Sequence, residues 1–108
     1  MKTKSNDTTL VSKLGTTKGR ARSRIWLQGN RLLDAGFKQG NTYSAIWSKA
    51  KLVLRSDEIL DAQLRKVSGK DGAPIIDIVG EQVLQTFGGR THVAVRFGDG
   101  VITITSAR

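Results

Sequence analysis

Four cations at alternate positions are the first residues of this chain whose spacing suggests a chemistry. They are separated by glycine, alanine and serine, small residues that let the backbone follow a groove: Lys18, Arg20, Arg22 and Arg24. Ammonium and guanidinium groups that neutralise phosphates release counterions, which gives a salt-sensitive affinity. The run therefore predicts contact with a phosphate backbone, and a solvated tail is the other interpretation.

The positive charge of the chain is concentrated in its first half. The net charge is +9; residues 1–24 contribute +6, residues 25–55 contribute +4, and the remainder is close to neutral. The second of these stretches carries five cations: Arg31, Lys38, Lys49, Lys51 and Arg55. A one-sided excess indicates a binding surface for a polyanion. We expect nucleic acid as the partner, DNA ahead of RNA, with contacts mainly to phosphates.

Three aromatic residues form a second candidate group. Strand alternation predicts that Trp26, Tyr43 and Trp47 lie on the face opposite Ile25, Leu27 and Ile46. The positions matched to them in the second half of the chain are polar: Asp77, His92 and Arg96. Two interpretations stay open, base stacking on a basic strand surface and burial under another segment or at an interface.

Catalysis finds little support in the residue types. His92 is the only histidine and there is no cysteine, so a nucleophilic triad or thiolate metal site has no motif behind it. The acids Asp57, Glu58 and Asp61 suit the start of a helix better than a metal site. We expect no enzyme activity, no metal and no cofactor, and a toxin with nuclease activity ranks third among the functions considered.

The order of elements indicates an internal duplication. Residues 24–56 and 74–106 both predict a strand, a short helix and a β-hairpin, with matches at a spacing of 51 residues in the strand and 49 in the hairpin. Residues 1–23 are predicted to be a flexible basic arm. Residues 57–73 are predicted to be a connecting helix, because Ile59, Leu60 and Leu64 have helical spacing. The domain proper is then 24–108, with copy one at 24–56 and copy two at 74–108.

Within copy one, the pattern predicts each element. Ile25 and Leu27 point inward on the first strand, Gly29 ends it, and Asn30 caps a helical turn that ends at a left-handed Gly36. Strands are expected over 42–48 and 51–55, joined by a tight turn. In copy two, Asp99-Gly100 is a strong hairpin signal.

A motif in copy one resembles the SymE toxin family, which belongs to the AbrB/MazE swapped-hairpin superfamily. The matching residues are Ile25, Leu27, Gly29, Leu32, Ala35-Gly36-Phe37, Gly40 and Leu52-Val53-Leu54. Copy two has Thr86-Phe87-Gly88 in place of the Ala-Gly-Phe run. In this superfamily two hairpin units interleave to close one sheet. The resemblance therefore implies a mainly β fold with short helices, an AbrB/MazE-like barrel formed as a pseudo-dimer by two fused copies.

The resemblance also implies a function, because family members bind DNA or partner proteins and SymE-type toxins associate with the nucleoid. We expect a DNA-binding toxin or regulator. The alternative is a protein-binding inhibitor or antitoxin-like module, encoded by a phage or plasmid, that targets a nucleic-acid-handling enzyme. No apolar run approaches the roughly 20 residues of a membrane helix, and the N-terminus lacks the apolar stretch of a secretory signal. A cytoplasmic protein is expected, monomeric or homodimeric.

Overall fold

The computed structural model describes residues 8–13, 15–16, 22–87 and 92–106. Within these residues the prediction of a mainly β fold with short helices is confirmed. The elements follow in chain order: β1 (Thr8–Lys13), β2 (Gly15–Thr16), β3 (Arg22–Gln28), α1 (Asn30–Asp34), β4 (Thr42–Ser48), β5 (Lys51–Arg55), β6 (Gln63–Lys66), β7 (Ser68–Lys70), β8 (Ala73–Val79), α2 (Glu81–Phe87), β9 (His92–Gly98) and β10 (Val101–Ser106).

The strands form two antiparallel sheets. The large sheet has the order β1-β9-β10-β5-β4-β6, and the small sheet has the order β2-β3-β8-β7. The central pair of each sheet joins the two halves of the chain, since β5 pairs with β10 and β3 pairs with β8. The two sheets are separate in the described part of the chain, so the predicted closed barrel is not seen there.

The inner faces of both sheets build one hydrophobic core. Alternate residues of β3 and β5 are buried, as the sequence predicted for Ile25 and Leu27, and the same holds for β8 and β10. The buried side chains at the centre of the sheets are Ile25, Leu27, Leu52, Leu54, Ile76, Ile78, Ile102 and Ile104. Burying one such aliphatic side chain is worth about 1.5–3 kcal/mol, so these strand pairs dominate the stability of the fold.

The helix in the first half starts differently from the prediction and ends as predicted. Asn30 is the first helical residue and does not cap the helix; Gly29 precedes it with φ 105°, and no side chain caps the N-terminus. Glycine adopts that conformation without a Cβ clash, so the chain turns into the helix one residue early. At the other end Gly36 has φ 96°, the left-handed conformation that terminates a helix.

The predicted connecting helix over 57–73 is wrong. The buried hydroxyl of Ser44 donates to the Asp57 carbonyl (2.7 Å) and accepts from the Ile59 N–H (2.8 Å), which fixes an irregular segment across β4. Beyond it the chain forms β6 and β7, which pair with β4 and β8. Leu60 is 88% exposed, so it contributes no buried helical stripe.

Part of the predicted basic arm also belongs to the sheets. Strands β1 and β2 lie inside residues 1–23, and β3 begins at Arg22 rather than Arg24. All of β1 is paired with β9, with Thr8 opposite Phe97 and Lys13 opposite His92. These stretches are therefore not an unattached arm; Lys18 and Arg20 lie outside the described residues.

Candidate nucleic-acid interface

Two of the three predicted stacking residues point into the molecule. Tyr43 is 1% exposed and packs edge-on against Phe37, with ring centroids 5.9 Å apart. Trp47 packs against the same core, and its indole N–H donates to the Gln63 side chain at 3.2 Å. The predicted outward orientation of Tyr43 and Trp47 is wrong; the Tyr43 ring is not available to bases, whereas the Trp47 ring is partly buried.

The error comes from a one-residue mismatch between the two hairpins. The buried residues correspond at a spacing of 50 rather than 49, so Tyr43 matches Val93 and Trp47 matches Phe97. A slip of one residue in a strand moves every side chain to the opposite face. The polar matches His92 and Arg96 were therefore assigned to the wrong partners, since both lie on the outer face of β9.

Trp26 is the one predicted aromatic residue that faces outward, and it lies on the small sheet. It is 40% exposed, the Arg24 guanidinium is 4.8 Å from its ring centroid, and its indole N–H donates to Gln28 at 3.0 Å. Arg24 in turn donates two hydrogen bonds to the Asp77 carboxylate, both 3.0 Å long. The hydrogen bond to Asp77 raises the pKa of the Arg24 guanidinium, against the opposing effect of desolvation. Arg24 is thus committed to a carboxylate and offers less charge to a phosphate than the sequence predicted.

The outer face of the large sheet collects four cations and a histidine from three strands. Because side chains alternate along a strand, one face carries the set that we call the basic face: Lys51, Arg55, Lys66, His92 and Arg96. All five side chains are exposed. The register places Arg96 in line with Thr103, Val53 and Ile46 across four neighbouring strands. None of the strand positions on this face is acidic in the described part of the sheet.

A carboxylate in the loop after β5 contacts the basic face. The Arg55 Nε lies 3.2 Å from Asp57 Oδ1, and both side chains are about half exposed. The hydrogen bond from Arg55 lowers the pKa of the Asp57 carboxyl. A guanidinium has five N–H donors, so this single bond leaves Arg55 able to contact a phosphate.

The other predicted cations lie elsewhere. Arg31 is exposed on α1, Lys38 follows that helix, and Lys49 occupies the β4–β5 turn at one end of the basic face. Arg22 opens β3, on the small sheet. The structure thus brings together Lys51 and Arg55 from the predicted set, whereas Arg24 lies on the small sheet.

Sequence reasoning missed three members of the basic face. Lys66 lies in the segment predicted to be a helix, and His92 and Arg96 lie in the half that is electrically neutral as a whole. The sheet order places β6 and β9 beside the first hairpin and its partner strand. The alternation of buried Val93, Val95 and Phe97 with exposed residues was the signal that could have placed His92 and Arg96 on one outer face.

Comparisons with known proteins provide no relative. No protein-family model, no curated protein and no solved structure matches this chain. Neither of the two helices in the described ranges is long and apolar enough to cross a membrane. We therefore infer the function of this protein from the geometry of the chain itself.

Proposed function

We propose that this protein binds nucleic acid, with DNA preferred over RNA, mainly through phosphates laid on the basic face. The single observation that carries the proposal is the gathering of Lys51, Arg55, Lys66, His92 and Arg96 on one sheet face with no acid among its described strand positions. Between them lie half-buried hydroxyl and aliphatic side chains such as Thr103 and Val53. This chemistry suits a polyanion bound by its backbone and offers few groups that distinguish bases.

The dimensions of the basic face fit a nucleic-acid backbone. Neighbouring strands are about 4.8 Å apart, so six strands span roughly 24 Å, and four residues along β5 span about 13 Å. Lys51 and Arg55 stand at the two ends of that span. Duplex DNA carries one charge per about 1.7 Å of axis, so a surface of this size reaches several phosphates at once.

We further propose that the chain is a tandem pseudo-dimer of the swapped-hairpin type, as the SymE resemblance implies. The register of β3 and β8 supports this. Ile25 is paired with Ile78 and Leu27 with Ile76. Because Ile25 corresponds to Ile76 and Leu27 to Ile78 in the repeat, a two-fold rotation exchanges these two pairs. The Ala-Gly-Phe run has a structural role consistent with the resemblance: the Ala35 carbonyl accepts from the Gly100 N–H at 2.8 Å, and Phe37 is buried.

The repeat is longer than the sequence predicted. β1 pairs with β9 as β6 pairs with β4, and β2 pairs with β3 as β7 pairs with β8. The pair formed by Lys13 of β1 and His92 of β9 occupies the same position in the sheet as the pair formed by Lys66 of β6 and Thr42 of β4. We propose repeats at 8–56 and 61–106, in which the supposed linker is the second copy of the N-terminal strands.

This equivalence supplies matched controls for a binding experiment. Arg55 occupies the same place in β5 as Thr105 in β10, and Lys51 the same place as Val101. We expect Arg55→Gln and Lys51→Gln each to weaken binding to duplex DNA and to reduce the slope of log K against log salt by about 0.9 per lost phosphate contact. Thr105 and Val101 stand opposite Lys51 and Arg55 on the same face, but Thr105→Gln and Val101→Gln remove no charge, so they should leave the salt slope unchanged.

The measurement is fluorescence anisotropy over a salt series, with duplex DNA, single-stranded DNA and RNA of equal length side by side. Circular dichroism melting of each variant separates loss of binding from loss of folding. A wild-type chain that binds none of the three nucleic acids at low salt, or variants whose slopes all match the wild type, would overturn the proposal.

A protein-binding inhibitor or antitoxin-like module is the second candidate, and the outer face of the small sheet favours it. Trp26 and Val79 are 40% and 46% exposed there, and the charge of Arg24 is neutralised by Asp77. Tryptophan and arginine are enriched at the centres of protein interfaces. If this candidate is right, the three nucleic acids will not bind, and Trp26→Ala will abolish binding of the protein target.

A further inference from the structure

A cavity of about 490 Å³ lies between the β4–β5 turn and helix α2. Its polar lining is supplied by six side chains: Ser48, Lys49, Gln82, Gln85, Thr86 and Ser106. The buried ring of Phe87 and the methyl group of Ala50 complete its wall. We call this the turn cavity; it adjoins the end of the basic face at which Lys51 stands.

The other half of the molecule is closed at the corresponding place. There the β9–β10 turn docks onto the end of α1, since the Gly100 N–H donates to the Ala35 carbonyl at 2.8 Å. The Ser56 N–H donates to the Gly100 carbonyl at 3.0 Å and completes the contact. The fold can therefore close this place with backbone hydrogen bonds alone.

One residue distinguishes the two turns at this place. A Cβ built on Gly100 would lie 3.2 Å from the Ser56 hydroxyl oxygen, which is tighter than ordinary packing. Ala50 holds the place of Gly100 in the β4–β5 turn and carries that Cβ, at φ 55°. Ser106 holds the place of Ser56, so the same close approach at Ala50 would require the Ser106 hydroxyl to give way by a few tenths of an ångström.

The side chains that line the cavity suit a small anionic ligand that also carries many hydrogen-bonding groups. Lys49 supplies a cation, Ser48, Thr86 and Ser106 supply hydroxyls, and none of the described lining residues is a carboxylate. Gln82 and Gln85 lie three residues apart and so on one face of α2. Carboxamides of this type pair with the N6 and N7 edge of adenine, and the volume is in the range of small-ligand sites.

We propose that the turn cavity binds a 5′-phosphorylated nucleotide, with the phosphate at Lys49 and the base at the two glutamines. This proposal extends the proposed function, and it rests on that function where the ligand is the end of a bound nucleic-acid strand. The nucleotide is either a free mononucleotide or the phosphorylated end of a strand that lies on the basic face.

Calorimetric titration of the full chain with adenosine 5′-monophosphate, and with adenosine as the phosphate-free control, tests the site. We expect the monophosphate to bind at least about tenfold more tightly than adenosine, because the charge-assisted contact is lost with the phosphate. Ser106→Ala should weaken binding by about threefold to tenfold, whereas Ser56→Ala, its match in the closed half, should not.

Ala50→Gly is the sharpest variant, because it removes the Cβ that this turn carries where the β9–β10 turn has Gly100 and so eases its approach to Ser106. The variant should fold with an unchanged or higher melting temperature, since glycine accepts a positive φ, yet lose nucleotide binding. Retention of wild-type nucleotide affinity in Ala50→Gly would contradict the account of the cavity.

Duplexes with a 5′-phosphate or a 5′-hydroxyl separate the two sources. Preference for the phosphorylated duplex identifies a strand end, and binding of the monophosphate without that preference identifies a free nucleotide. If duplex DNA binds but neither the monophosphate nor the 5′-phosphate has an effect, the inference falls and the proposed function stands. If the monophosphate binds and no nucleic acid does, the proposed function falls and the site stands.

Discussion

Cutting the chain between Leu60 and Asp61 should leave neither half able to fold as a monomer. The cut falls in an exposed loop and spares the hydrogen bonds that Ser44 makes to Asp57 and Ile59. Each sheet is built around a strand pair that crosses between the halves. The fragments 1–60 and 61–108 therefore each lose the central partner of both sheets.

The magnitude follows from the buried side chains of those pairs. In the first half they are Ile25 and Leu27 on β3 and Leu52 and Leu54 on β5, all at most 6% exposed. At about 1.5–3 kcal/mol each, their burial contributes at most roughly 6–12 kcal/mol. A whole domain has a net stability of about 5–15 kcal/mol, so the loss is as large as the entire stability.

Circular dichroism melting with analytical ultracentrifugation checks the expectation. Each fragment alone should show no cooperative transition, and mixing them at equal concentration should restore one, with the mass of a heterodimer. The intact chain serves as the reference. A fragment that is strictly monomeric and still melts cooperatively would refute the reasoning, because its core would then be complete within one half.

Two further outcomes are expected. Ser44→Ala should lower the free energy of unfolding, measured by urea denaturation, by about 1–3 kcal/mol. The reason is that the Asp57 carbonyl and the Ile59 N–H would lose the buried hydroxyl to which they are hydrogen-bonded. An unchanged denaturation midpoint would contradict the role of that hydroxyl. Burial raises the pKa of the Tyr43 phenol, with Arg65 opposing the shift. The pKa of Tyr43 in the folded chain therefore lies above the unfolded value of about 10. The stability that the folded chain gains from keeping this phenol neutral is present below about pH 10 and is lost as the pH rises through the folded pKa. Tyr43 is the only tyrosine, and its tyrosinate absorbance should titrate later in the folded chain than in urea; coincident titrations would contradict the burial.

The elements of the first hairpin were predictable because their signals are local. The strands over 42–48 and 51–55 and the turn between them agree with the structure, as does the left-handed Gly36. The candidate site was predictable only in part: Lys51 and Arg55 were named, but Lys66, His92 and Arg96 were not. Lys66 was missed because its segment was predicted to be a helix, and His92 and Arg96 were missed because a strand's outward residues become a site only when the order of strands in the sheet is known.

The sequence by itself determined that the chain is basic, mainly β and punctuated by glycines at its turns, because composition, alternation and φ preference act within a few residues. Only the tertiary structure decided that Tyr43 and Trp47 face the core, that β6 and β7 form within residues 57–73, and that β9 lies beside β10 and β6 beside β4 in one sheet. A one-residue choice of register flips a strand's faces at no local cost. Pairing partners distant in sequence settle that choice, through the apolar surface that the whole sheet buries.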